Sequence, residues 1–160
     1  MNDLKIRFAQ KQDITIILDF IKKLAEYEKL SNEVYADENK ILYSMFSIKP
    51  EAESILGFFN NQPVAFAIFF HNYSTFLAQK GLYLEDLFVL PEFRNKGFGK
   101  KMLSFLAQIA VERNCGRFEW AVLDWNKPAI DFYKTLGAEF KNEWLICRLT
   151  NEGIKKLANI

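Results

Sequence analysis

YLEDLFVLPEFRNKGFGKKML, residues 83–103, changes character twice. Up to Leu90 it is an apolar strand pattern, and Pro91 stops it because proline has no N–H to give a ladder. A short loop follows, then Gly97 and Gly99 in a turn that opens a helix. Arg94, Lys96, Lys100 and Lys101 put four positive charges in eight residues with no acid among them. The glycines let the backbone approach a ligand, and the helix start supplies unpaired amides and the positive end of its dipole, an anion site suited to phosphate. A solvated basic turn would show the same residues. The preceding strand tips the balance, because Tyr83, Glu85 and Asp86 are polar groups in an apolar run, and buried carboxylates are costly unless paired or functional. Two nucleotide motifs are excluded. A Walker loop needs Gly where Arg94 stands and Ser or Thr where Lys101 stands. A dinucleotide fingerprint needs three glycines in an early βαβ unit, and here there are two in mid-chain.

Working outward, Leu4–Phe8 alternates as a first strand. Ile14, Ile17, Leu18, Ile21, Leu24 and Ala25 fall on one helical face from Asp13 onward, and a second helix begins near Asp37. Ser54–Phe59 and Pro63–Tyr73 flank a polar Asn60-Asn61-Gln62 turn as a hairpin. A strand from Gly81 to Leu90 and a helix from Gly97 to Glu112 come next. Then follow a strand at Phe118–Leu123, a helix at Asn126–Leu136, a strand at Glu143–Leu149 and a terminal helix that Thr150 can cap. The order β-αα-β-β-β-α-β-α-β-α is neither alternating nor segregated, which predicts an α/β (α+β) mixed sheet with helices on both faces. No linker or repeat appears, so residues 1–160 read as one domain.

Composition excludes several classes. Half of the 160 residues are hydrophobic and the net charge is +1, too apolar for a disordered chain and without the basic excess of a nucleic-acid coat. The longest apolar run, Val64–Phe70, is too short to cross a bilayer, and the start lacks the pattern of a signal peptide. Cys115 and Cys147 are isolated and His71 is the sole histidine, so neither a metal site nor a histidine triad is expected. Lone thiols without an export signal fit a cytoplasmic protein. The 16% aromatic content exceeds ordinary core needs and points to an apolar cleft or a dimer surface.

In DWNKPAIDFYKTLGA, residues 124–138, Asn126 is a good N-cap, Pro128 is tolerated in the first turn, and Gly137 ends the helix. Tyr133 on its face would ordinarily be a core aromatic. Together with Arg94-x-x-Gly97-x-Gly99, the frame Asn126-x-x-Ala129-x-x-x-Tyr133-x-x-x-Gly137 resembles the Gcn5-related N-acetyltransferase (GNAT) superfamily, and within it the spermidine/spermine and thialysine acetyltransferase branch. LAEYEKL (24–30), YSTFL (73–77) and GLYLEDLFVLPEFR (81–94) carry the same likeness in order and spacing.

The resemblance implies a mostly antiparallel central sheet and an acetyl-CoA cofactor without a metal. Main-chain groups of Leu87, Phe88 and Val89 would pair with the pantetheine arm as an added strand. Amides of Asn95, Lys96, Gly97, Phe98, Gly99 and Lys100 would hold the pyrophosphate, with Arg94 and the lysines adding charge. Asn126, Lys127, Pro128 and Ala129 would touch the cofactor's other side, and Tyr133 would protonate the departing thiolate. Glu85 would bind the acceptor's ammonium and take its proton, directly or through water. Tyr27, Glu28 and Glu143 match further acceptor contacts. Glu28 is equally well read as a solvated helix end, although Glu26, Glu28, Glu33, Asp37 and Glu38 face only Lys29 across residues 26–38.

Two departures concern the acceptor: Asn95 stands where the polyamine enzymes tend to have glycine, with Lys96 replacing an apolar residue, and Asp124 replaces a frequent glutamate. The expectation is direct acetyl transfer to a primary amine, polyamine first and thialysine or a related amino acid second, by a homodimer acting on neither nucleic acid nor membrane. Against it stand a non-catalytic acyl-CoA-binding module and a mixed-sheet nucleotide binder.

Overall fold

The structure, a computed structural model, describes residues 3–160. The chain divides into two compact units, the first ending at Ala121 and the second running from Val122 to Ile160.

In the first unit, β1 (Lys5–Phe8), β2 (Glu53–Phe59), β3 (Gln62–Ser74), β4 (Gln79–Val89) and β5 (Phe118–Trp120) lie side by side in chain order. The first four are antiparallel, and β5 runs parallel to β4. The helices are α1 (Ile14–Tyr27), α2 (Glu38–Met45) and α3 (Phe98–Glu112). The Val64–Phe70 run falls on β3, the central strand, and Val64 to Phe69 are all buried. A strand covered on both faces has no polar side, which is why its sequence does not alternate.

On one face α1 places Ile17, Phe20 and Leu24 against Leu56, Phe66, Ile68 and Phe88, and the Phe20 and Phe66 rings stack with centroids 5.1 Å apart. On the other, Phe105 of α3 meets Phe8 edge-on at 6.1 Å, and Phe8 meets Phe69 at 6.4 Å. Helix α3 approaches closely because Gly57 has no side chain; a Cβ there would meet Met102 Sδ at 3.1 Å. Helices on both faces of a mostly antiparallel sheet agree with the sequence expectation.

The ends of α1 are fixed by different means. Before its first turn the buried Asp13 carboxylate takes a fork of bonds from Arg7, at 2.6 and 3.0 Å, and one from the Gln10 amide at 2.7 Å. At the far end Leu30 N bonds to Ala25 O and Lys29 N to Glu26 O, with Lys29 left-handed at φ 61°, a Schellman stop. Helix α2 is capped by Asp37, which accepts from the Lys40 amide at 2.8 Å, and Glu38 accepts from the Thr15 hydroxyl at 2.8 Å. Two of the five acids of residues 26–38 thus build structure.

The second unit contains α4 (Lys127–Thr135) and α5 (Asn151–Ala158). Thr150 takes the N-cap position of α5 but its side chain accepts no bond there. The strand expected at Glu143–Leu149 does not form, and β5 stops at Trp120 rather than Leu123. Residues 142–150 are all exposed, and Trp144, Leu145 and Ile146 follow one another as neighbours rather than on one side. Alternation alone does not make a strand; its amides need a partner edge.

Candidate active site

The pairing of β3 with β4 slips by one residue. Ile68 pairs with Asp86 and Phe69 with Leu84, so Glu85 is an extra, bulged residue. Upstream of it Leu84 lies with Phe69 on the α3 face; downstream Asp86 and Phe88 lie with Ile68 and Phe66 on the α1 face. The bulge exposes Glu85 and half-buries Asp86. Burial, followed by the nearby Glu85 and Glu28 carboxylates, pushes the Asp86 carboxyl up to about 6. Burial also raises Glu28, which caps the C-terminus of α1. Three carboxyl groups therefore gather where the sequence assigns a cationic acceptor. Strand β5 reaches only Leu84, so among the described residues no strand covers the far side of Glu85–Val89.

Beyond β4 a short 3-10 turn at Pro91–Phe93 leads into the glycine turn. Asn95 is left-handed at φ 61° and Gly97 at φ 77°. The left-handed backbone explains why glycine suits position 95 and why asparagine can replace it, since its short side chain tolerates this region. Asn95→Val is expected to lower stability by about 1–2 kcal/mol in urea melts, whereas Asn95→Gly should not. A Cβ on Gly97 would find nothing within 4 Å, and no side chain caps α3 there, so the amides of its first turn stay available.

The four cations of the turn diverge. Lys101 pairs with Asp3. Lys96 Nζ lies 4.9 Å from the centre of the Phe93 ring. Arg94 Nε donates to Val89 O at 3.0 Å, and its guanidinium covers the rings of Tyr27 at 4.6 Å and Phe88 at 5.2 Å. Lys100 is exposed and has no ion pair among the described residues.

In the second unit Asn126 accepts from the Ala129 amide at 3.4 Å and so caps α4, with Pro128 in its first turn. Lys127 is tied to Asp131 at 2.7 Å. Tyr133 is buried, with 9% of its surface exposed, and touches Phe132 at a ring separation of 5.5 Å. Gly137, at φ 81°, ends the helix as the sequence suggested. Glu143 is exposed in the segment without a strand.

The first unit thus brings together Tyr27, Glu28, Glu85, Phe88 and Arg94, while in the second Lys127, Pro128, Ala129 and Tyr133 share α4, which Asn126 caps. Sequence reasoning marks Asp86 as a costly carboxylate but gives only Glu85 a role toward the acceptor, because a bulge is a property of two paired strands, and it groups Arg94 with the lysines although its partners are two rings and the Val89 carbonyl.

The sequence profile of the Acetyltransferase (GNAT) family matches residues 19–138. The thialysine N-epsilon-acetyltransferase of Sus scrofa is 36% identical over 169 residues, covering 99% of each chain. The L-ornithine N5-acetyltransferase of Arabidopsis thaliana is 30% identical over 198 residues, covering 96% of this chain and 87% of that one. Among solved structures, an integron cassette protein from the mobile metagenome of V. cholerae superposes with a TM-score of 0.82 at 25% identity, over 98% of both chains. With most of its length matched by the profile and nearly all of it by these relatives, the chain belongs to the acetyltransferase (GNAT) family and is an acyltransferase.

Proposed function

We propose that residues 1–160 act as one domain that transfers acetyl from acetyl-CoA to the terminal amine of a small amino-acid-like cation. The carboxyl cluster of Glu28, Glu85 and Asp86 on β4 and at the end of α1 carries this reading, because a cationic amine needs anionic walls and a proton acceptor. The names of the thialysine and ornithine enzymes favour an amino acid's side-chain amine over the polyamine expected from motifs alone.

The chain's groups suit the cofactor. The edge at Leu87–Val89 has main chain for a pantetheine arm, open space faces Gly97, and the uncapped first turn of α3 together with Asn95, Lys96 and Lys100 suits a pyrophosphate. Asn126–Ala129 is the second contact. Acetyl-CoA supplies an acyl group already activated as a thioester. A primary amine reaches the site protonated and cannot attack until it loses that proton. Glu85 or Asp86 takes it and passes it to solvent; a carboxyl near 6 is suited to this at neutral pH. Tyr27 and Glu28 hold the acceptor, and the family resemblance would add Glu143. Tyr133 Oη gives its proton to the departing thiolate, whose basicity is close to that of a phenolate, and no covalent enzyme intermediate is formed.

Thiol release with thialysine, lysine, ornithine, spermidine and putrescine tests the reading. We expect the highest kcat/KM on the amino acids. Faster turnover of spermidine would return the assignment to a polyamine, and cofactor binding without turnover of any amine would make the chain a binding module. Sedimentation would check the expected homodimer.

A further inference from the structure

We infer that Arg94 is a positioning residue for the amine acceptor: its guanidinium ties the end of β4 to the last turn of α1 and thereby fixes the wall made by Tyr27 and Glu28. This rests on the acceptor reading above and gives it a component that the motif does not suggest, since by sequence Arg94 is one of four charges around a phosphate.

The geometry separates it from the other three. Its Nε donates to the carbonyl of Val89, the last residue of β4, at 3.0 Å. The guanidinium carbon lies 4.6 Å from the centre of the Tyr27 ring and 5.2 Å from that of Phe88. These rings stand 6.1 Å apart at a 58° tilt, so the cation fills the corner between them. Tyr27 is the last residue of α1 and Glu28 its C-cap, and a cation at that end also meets the negative pole of the helix dipole. Only a planar cation with a fixed fork of donors can cover two rings and bond a carbonyl at once. Lysine would keep the charge and lose the shape. Without the guanidinium the Val89 carbonyl loses this donor, the Tyr27 ring loses its cover, and Glu28, next along the chain, loses its fixed placement. The pyrophosphate would still have Lys100 and the amides of Asn95–Lys100.

A double-mutant cycle tests this, using the full chain with Arg94→Lys, Tyr27→Leu and both together. We expect Arg94→Lys to raise the KM for the amine about fivefold, the loss of one cation–π contact near 1 kcal/mol, and Tyr27→Leu, which also removes an acceptor contact, to raise it further. The double variant should be no worse than the poorer single, and the KM for acetyl-CoA should stay within twofold in Arg94→Lys. A raised KM for acetyl-CoA with an unmoved amine KM would make Arg94 a phosphate ligand and overturn the inference, as would amine effects that multiply. If the wild type acetylates no amine, the acceptor reading fails separately. Melting temperatures of the same four proteins then decide: non-additive losses support the tie, and additive ones refute it.

Discussion

Tyr133→Phe is expected to lower kcat by about 10²- to 10⁴-fold, the range contributed by a positioned general acid. The substitution removes one hydroxyl from a side chain only 9% exposed and keeps the ring that meets Phe132 at 5.5 Å. A lost hydrogen bond costs about 1 kcal/mol, so the melting temperature should move by only a few degrees. The KM for acetyl-CoA should change little, because binding does not need the proton. Stopped-time thiol release measures the outcome, and turnover near the wild-type rate would remove Tyr133 from the chemistry.

Asp13→Ala is expected to destabilise the fold by about 2 kcal/mol, without touching any group assigned to catalysis. The Asp13 side chain is 5% exposed and its partner Arg7 42%, so the loss falls on the buried carboxylate's bonds rather than on a stranded buried arginine. The pH dependence gives a second check. The hydrogen bond from Arg7 is the main cause holding the Asp13 carboxyl below its ordinary value, with help from the Gln10 amide. A carboxyl depressed in the folded state contributes stability above the unfolded value of about 3.9, and loses it as pH falls through the folded one. The gap between wild type and variant in urea melts should therefore be full at pH 7 and shrink below about pH 4. A gap that persists unchanged at pH 3 would assign the effect to packing instead.

What the sequence made legible follows what is local. The strand–turn–helix of residues 83–103, the Asn126 cap and the Gly137 stop depend on a few neighbouring residues, and the structure repeats them. The central position of β3 was latent in the unbroken run Val64–Phe70. What escaped depends on partners far along the chain. The slip that makes Glu85 an extra residue is set by β3. The partner of Lys101 is Asp3, and that of Arg94 is Tyr27, on another element. At Glu143–Leu149 the alternating pattern predicts a strand, and none forms, because nothing local says whether an edge is waiting for it.

Strand β4 is written in two opposite parities. Before Glu85, even-numbered residues such as Leu84 face α3; after it, even-numbered residues such as Asp86 and Phe88 face α1. Glu85 is the point where one sense is exchanged for the other. Substitution there leaves the count intact, but a single-residue deletion or insertion anywhere between Leu84 and Asp86 changes it, turning one half of the strand inside out and sending either Leu84 toward α1 or the acid and its aromatic neighbour toward α3. The length of this segment is thus a constraint separate from its composition: the fold holds the spacing, whatever the chemistry asks of the acids.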